Sequence, residues 1–255
     1  MRDVGGISSD ERPGSVQAIL YIVKGLAAQF TEFCRSISGA EDIEALTLSL
    51  EQKRSALKKA DFFFANRTII CEIKTFETDT AEKFIRFLNE QGFDLPPGEY
   101  DTQQLFATRP DGEQLLQRAS TIIATALSDQ LADANRQIRD TMRLFGRETA
   151  DGLVVVLNGV VEILGPPIVL SRLFARLAKT REDGSPYHDH IAHVLYFSEK
   201  HIITSASGDA AVAIPVANPL LVAKHDVAAF ANQLVQAWAE FNGRWFEKRQ
   251  LGIII

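Results

Sequence analysis

Lys58-Lys-Ala-Asp-Phe-Phe-Phe-Ala-Asn-Arg-Thr-Ile-Ile-Cys-Glu-Ile-Lys74 is the stretch that decides how this chain is read. Ala60–Ala65 and Thr68–Phe76 are two apolar runs rich in β-branched and aromatic residues, and only Asn66-Arg67 separates them. That pattern predicts two strands joined by a tight hairpin. Asn66 tolerates the left-handed backbone of such a turn, whereas Arg67 stands where glycine is usual, so the turn type stays open. Side chains two apart on a strand share a face, which puts Glu72 and Lys74 together and Ile73 on the opposite side. The partner strand then brings Asp61 beside them. Charged groups in an apolar hairpin are costly to bury without a task. Two converging carboxylates make a hard oxygen site suited to Mg²⁺ or Mn²⁺. An adjacent Lys74 ammonium orients or deprotonates an attacking water and stabilises charge building on phosphorus.

Upstream, residues 1–14 read as a loose arm, and Val16–Ile37 carries Ala18, Ile19, Ile22, Ala27, Phe30 and Phe33 at helical spacing. Glu41–Leu57 is amphipathic, but Ile43, Leu46, Leu48 and Leu50 leave helix against strand undecided. Downstream, Glu77–Arg109 reads as an insertion with a short helix at Ala81–Gln91 and a Pro96-Pro97-Gly98 break. A long helix is expected from Gly112 to Phe145, closed by Gly146, followed by a buried strand at Gly152–Leu157. A helix at Ile168–Lys179, a polar loop at Glu182–Pro186, strands at Ile191–Phe197 and Ala211–Val216, and a helix at Asp226–Phe241 complete the pattern. Without an internal repeat or a linker, residues 15–255 read as a single α/β domain.

Asp61, ten intervening residues, then Glu72-Ile73-Lys74, followed by a long helix and a strand, resembles the PD-(D/E)XK nuclease superfamily. The resemblance covers roughly residues 16–157 and leaves residues 158–255 as a C-terminal α/β elaboration. It implies a restriction-endonuclease-like α-β-β-β-α-β core and cleavage of DNA or RNA, with DNA favoured. The implied cation site is Asp61, Glu72 and the main-chain carbonyl of Ile73, with Lys74 positioning the water. Many members also carry a glutamine on the helix after the E-x-K strand. Gln137 is placed for it, and Gln130 competes. Some place a glutamate on the first helix, where Glu32 is the candidate. Two departures stand out: Ala60 replaces the proline before the first acid, and the 77–109 segment is inserted between Lys74 and the long helix.

A nucleic-acid substrate requires local cationic density, and the net charge of −6 does not supply it globally. Arg136, Arg139, Arg143 and Arg147, spaced three, four and four apart, form one stripe on the long helix. Lys53, Arg54, Lys58 and Lys59 add charge before Asp61. The alternative is a solvated face on which the arginines pair with Asp133, Asp140 and Glu148. A second functional class is a catalytically silent protein of the same fold that binds nucleic acid or a protein partner.

Other signals point elsewhere or nowhere. His188, His190 and His193 fit a polar loop entering a strand better than a metal chelate. Cys34 and Cys71 read as small buried hydrophobes in a reducing compartment. No P-loop or dinucleotide fingerprint is present. The polar MRDVGGISSDERPGS start and the lack of a long apolar run lead to the expectation of a cytoplasmic protein without a membrane partner. The apolar Gly252–Ile255 tail is suited to joining a sheet edge or a partner chain, which admits a homodimer.

Overall fold

The computed structural model describes residues 15–48, 58–76, 78–93, 102–159, 166–205 and 208–243. The α/β class expected from the alternation of periods is the one that forms. One six-stranded mixed sheet runs in sequence order: β1 (Glu41–Asp42), β2 (Phe62–Phe64), β3 (Ile69–Thr75), β4 (Asp151–Asn158), β5 (His193–Ser205) and β6 (Gly208–Ala217). The first three strands are antiparallel neighbours, β3, β4 and β5 are parallel, and β6 returns antiparallel to β5. The helices are α1 (Ser15–Ser36), α2 (Ile43–Leu48), α3 (Thr78–Glu90), α4 (Thr102–Ala107), α5 (Gly112–Phe145), α6 (Pro166–Leu177) and α7 (Val227–Phe241). Parallel strands need crossovers, and α5 and α6 lie in the two connections. No helix among the described residues is long and apolar enough to cross a membrane.

All eight residues of β4 are buried, as a parallel strand covered on both sides requires. Alternation sorts the sheet into two faces. On one, Ile70, Val154, Val156, Val194 and Tyr196 pack under Leu131, Ala134, Ile138 and Met142 of α5. On the other, Cys71, Leu153, Val155 and Phe197 pack under Phe30 and Phe33 of α1 and Leu234 and Trp238 of α7. The Trp238 ring centroid lies 5.0 Å from that of Phe30 and 5.1 Å from that of Phe33. This tryptophan therefore packs helices together, and both cysteines are free and buried in the same layer.

The hairpin turn is longer than its two-residue prediction. Phe64 pairs with Ile69, leaving Ala65–Thr68 as the loop, and Thr68 N–H donates to the Ala65 carbonyl at 3.2 Å. Asn66 and Arg67 are still the central residues, with φ of 55° and 64°. From this left-handed position the Arg67 guanidinium donates to both Glu41 oxygens, at 2.8 and 2.5 Å. In Glu41–Leu57, the undecided segment resolves into the two-residue β1 followed by α2, with residues 49–57 outside the described set. The α3 helix begins at Thr78, before the expected Ala81, and the last two strands run well beyond the expected Ile191–Phe197 and Ala211–Val216. The 1–14 arm and the Gly252–Ile255 tail lie outside the described residues.

Two glycines fix the position of α5 and β4. Gly146, at φ 61°, ends α5, and the Arg147 N–H donates to the Met142 carbonyl at 2.7 Å, satisfying the last turn. A Cβ on Gly152 would lie 2.0 Å from the His190 carbonyl oxygen, so only glycine lets β4 pass this close to the loop before β5. That loop is tied to α5 as well. The Asn135 side-chain amide donates to Asp189 at 3.0 Å and accepts from the His190 N–H at 2.9 Å.

Candidate functional site

The β2–β3 ladder ends at the Phe62–Cys71 pair, and Asp61, the residue just before β2, bends toward β3, close enough to Glu72 for the two carboxyls to act on each other. Asp61 N–H donates to the Cys71 carbonyl at 3.0 Å, and the Ile73 N–H donates to Asp61 Oδ2 at 2.7 Å. A residue's N–H and C=O leave a strand on the same side. The Ile73 carbonyl therefore also points toward Asp61, beyond the end of the β2 ladder. Glu72 and Lys74 project from the face that α5 covers.

Lys74 Nζ lies 2.7 Å from Glu72 Oε1, 2.8 Å from Asp133 Oδ2 and 2.5 Å from Gln137 Oε1. The Gln137 amide in turn donates to the Lys59 carbonyl at 3.0 Å, just ahead of Asp61. The competing Gln130 does not reach Lys74; it donates to the Thr75 carbonyl at 2.7 Å. Thr141 Oγ1 accepts from the Ala60 N–H at 2.8 Å. Gln130, Asp133, Gln137 and Thr141 thus form a polar stripe on α5 that ties the end of β3 and the segment before β2 to one rigid helix.

Burial shapes the electrostatics. It pushes the Glu72 carboxyl up to about 8, and the charge of Asp61 opposite adds to this. Burial also raises Asp61, against the opposing pull of the Ile73 N–H and the Lys74 charge. For Lys74, burial works against the charge, but the Glu72 and Asp133 carboxylates outweigh it and hold its pKa above the ordinary lysine value. Glu72 Oε2 is buried and has no hydrogen-bond partner among the described residues. A desolvated carboxylate pair with an unsatisfied oxygen is what a divalent cation would compensate.

No group of three or more His, Cys, Asp or Glu side chains suited to a metal ion converges among the described residues. Mg²⁺ commonly uses only one or two carboxylates and keeps several waters, so Asp61, Glu72 and the Ile73 carbonyl form a donor set that fits it. Beside Asp61 opens a cleft of about 290 Å³, lined by Thr31, Arg35, Asp42, Glu44, Lys59 and Asp61. Within it Arg35 grips Asp42 at 2.8 Å, and Lys59 Nζ donates to Thr47 at 3.0 Å. Glu32 is exposed on α1 and does not line this cleft; its neighbours Thr31 and Arg35 do.

The basic residues divide. Arg136 pairs with Asp133 one turn away, and Arg139 contacts Asp140 at 3.0 Å. Lys58 is exposed, with Nζ 3.6 Å from Asp133. Arg143 is exposed on the last turn of α5, whereas Arg147, expected on the same helix, lies exposed beyond its Gly146 cap. Lys53 and Arg54 lie outside the described residues. Arg136 and Arg139 are thus tied to carboxylates of their own helix. In the histidine segment, His190 Nδ1 lies 2.7 Å from Asp189, and His188 is buried, its ring pKa lowered to about 4 by burial and by the Arg176, Lys179 and Arg181 charges.

Asp133 and Thr141 were not picked out from the sequence as site residues. The available signal is that both share a helix face with Gln137, four residues away on either side. Comparison of the chain with protein-family models, curated proteins and solved structures finds no significant match.

Proposed function

We propose that this chain is a metal-dependent nuclease of the PD-(D/E)XK type, hydrolysing phosphodiester bonds in nucleic acid, with DNA favoured over RNA. The observation that carries the reading is the meeting of Asp61, at the entry to β2, with Glu72 of β3, and with Lys74 held beside them by Gln137 of the crossover helix. The chain order supports it too. With α2 set between β1 and β2, and α3 and α4 ahead of α5, the order of α1, three antiparallel strands, α5 and a strand parallel to the third is compatible with the α-β-β-β-α-β core of that superfamily.

Asp61, Glu72 and the Ile73 carbonyl would hold Mg²⁺ or Mn²⁺. When bound, such a cation supplies Lewis-acid polarisation of the phosphate and activates water. Lys74 keeps its proton next to two carboxylates, so it acts as a fixed positive charge that orients the nucleophile and stabilises charge on the phosphoryl oxygens. Gln137 fixes the Lys74 rotamer and the backbone at Lys59. Lys58, Lys59, Arg136, Arg139 and Arg143 are the proposed phosphate contacts. Arg136 and Arg139 must exchange their own-helix partners to serve, so Lys58 and Arg143 should contribute most.

Pairing of Arg136 and Arg139 favours a second reading, a silent member of the fold that binds a partner through other surfaces. Cleavage assays on single-stranded, duplex and branched DNA with Mg²⁺ or Mn²⁺ separate the two. The nuclease reading expects metal-dependent cleavage, reduced on the order of 10²- to 10³-fold or more by Asp61→Ala or Lys74→Ala. Full activity in either folded variant contradicts the assignment, and no cleavage of any substrate favours the silent reading.

A further inference from the structure

An ammonium has three N–H donors and no acceptor. Those of Lys74 meet three acceptors, one each from Glu72, Asp133 and Gln137. If Asp61 and Glu72 hold a divalent cation, two positive charges seek the same buried carboxylate, because Glu72 Oε1 lies only 2.7 Å from Lys74 Nζ. An unrestrained lysine in that position would occupy the Glu72 carboxylate and compete with the cation. Something must hold the ammonium to one side.

We infer that Asp133 is a positioning residue whose carboxylate draws the Lys74 ammonium toward α5, so that it takes only Glu72 Oε1 and leaves Oε2 to a divalent cation; this rests on the metal site proposed above. Three observations support it. Asp133 is the only carboxylate other than Glu72 shown within ion-pair distance of Lys74 among the described residues. It sits mid-helix on α5, whose packing against the sheet leaves little freedom to the backbone. The side chain of Asp133 is 26% exposed against 3% for Glu72. Asp133 therefore keeps its charge at lower desolvation cost, and Arg136 and Lys58 steady it from the solvent side. Gln137 is a neutral acceptor and cannot supply the same counter-charge.

The arrangement predicts coupling that no general structural or long-range charge effect reproduces. Titration calorimetry with Mn²⁺ on the wild type, Asp133→Asn, Lys74→Met and the double variant forms a double-mutant cycle. Asp133→Asn in the wild-type background should weaken Mn²⁺ binding about tenfold, the scale of losing a residue that orients a metal ligand. In the Lys74→Met background the same change should have almost no effect, because no ammonium remains to restrain. Lys74→Gln replaces Lys74→Met should the latter fail to fold, which thermal unfolding reports. An equal loss in both backgrounds overturns the inference while leaving the metal site intact. A wild type that binds no Mn²⁺ overturns the proposed metal site itself, and the positioning role with it.

Discussion

Strand β3 separates two regions built on opposite logic. Toward α1 and α7 it presents Ile69, Cys71 and Ile73 to a layer of Phe30, Phe33, Phe197 and Trp238, with rings in mutual contact. Toward α5 the same strand presents Ile70, Glu72 and Lys74, and the apolar packing gives way to ions and amides over its last residues. One face therefore stabilises by burial, while the other places charge where burial makes it expensive. A strand with only a stability role would have no reason to carry Glu72 and Lys74 inward.

The comparison breaks most visibly on the apolar side. Phe30→Ala removes a fully buried ring from the aromatic layer and should cost about 3–5 kcal/mol in denaturant unfolding. Mn²⁺ affinity of the remaining folded protein should be unchanged. A matching loss of affinity would mean the two faces are not independent.

On the polar side, Gln137→Ala frees Lys74 from one acceptor and the Lys59 carbonyl from its donor. Cleavage should fall about 10- to 100-fold, with an unfolding midpoint close to wild type. A large stability loss with intact activity would move Gln137 from the site to the scaffold.

The pH dependence sharpens the same contrast. Glu72 titrates at about 8 in the folded protein against an ordinary 4.5, so the folded state retains a proton that the unfolded state releases between these values. Stability of the metal-free protein should therefore decline as pH rises through that window, and Glu72→Gln should flatten the decline. Thermal unfolding between pH 5 and 9 in chelator tests this, at roughly half-unit steps. An unchanged slope in the variant would assign the decline to other groups.

The smallest effect belongs to the surface. Arg143→Ala should leave stability unaltered and reduce the slope of log binding constant against log salt for duplex DNA by about 1. An unchanged slope would remove Arg143 from the contact surface.

The strand pair and the shared face of Glu72 and Lys74 were legible because period-two alternation is short-range information, which holds whatever the rest of the chain does. The bounds of α5 were legible from Gly112 and Gly146. The β1 strand was not, since two residues carry no period, and its pairing depends on Phe62 and Phe63 across the sheet. The sequence alone offers Asp133 as a partner for the arginines, which it also is. Its reach to Lys74 depends on how α5 is rotated over the sheet. That rotation follows from the burial of Leu131, Ala134, Ile138 and Met142, which leaves positions 130, 133, 137 and 141 along the border of the buried face.

The most direct test of the central claim is calorimetric titration of Mn²⁺ into the wild type and into Glu72→Gln. The account predicts binding by the wild type and its loss in the variant, which keeps the shape of the side chain and removes its charge. Equal binding by both proteins, or none by the wild type, would contradict a metal site at Asp61 and Glu72.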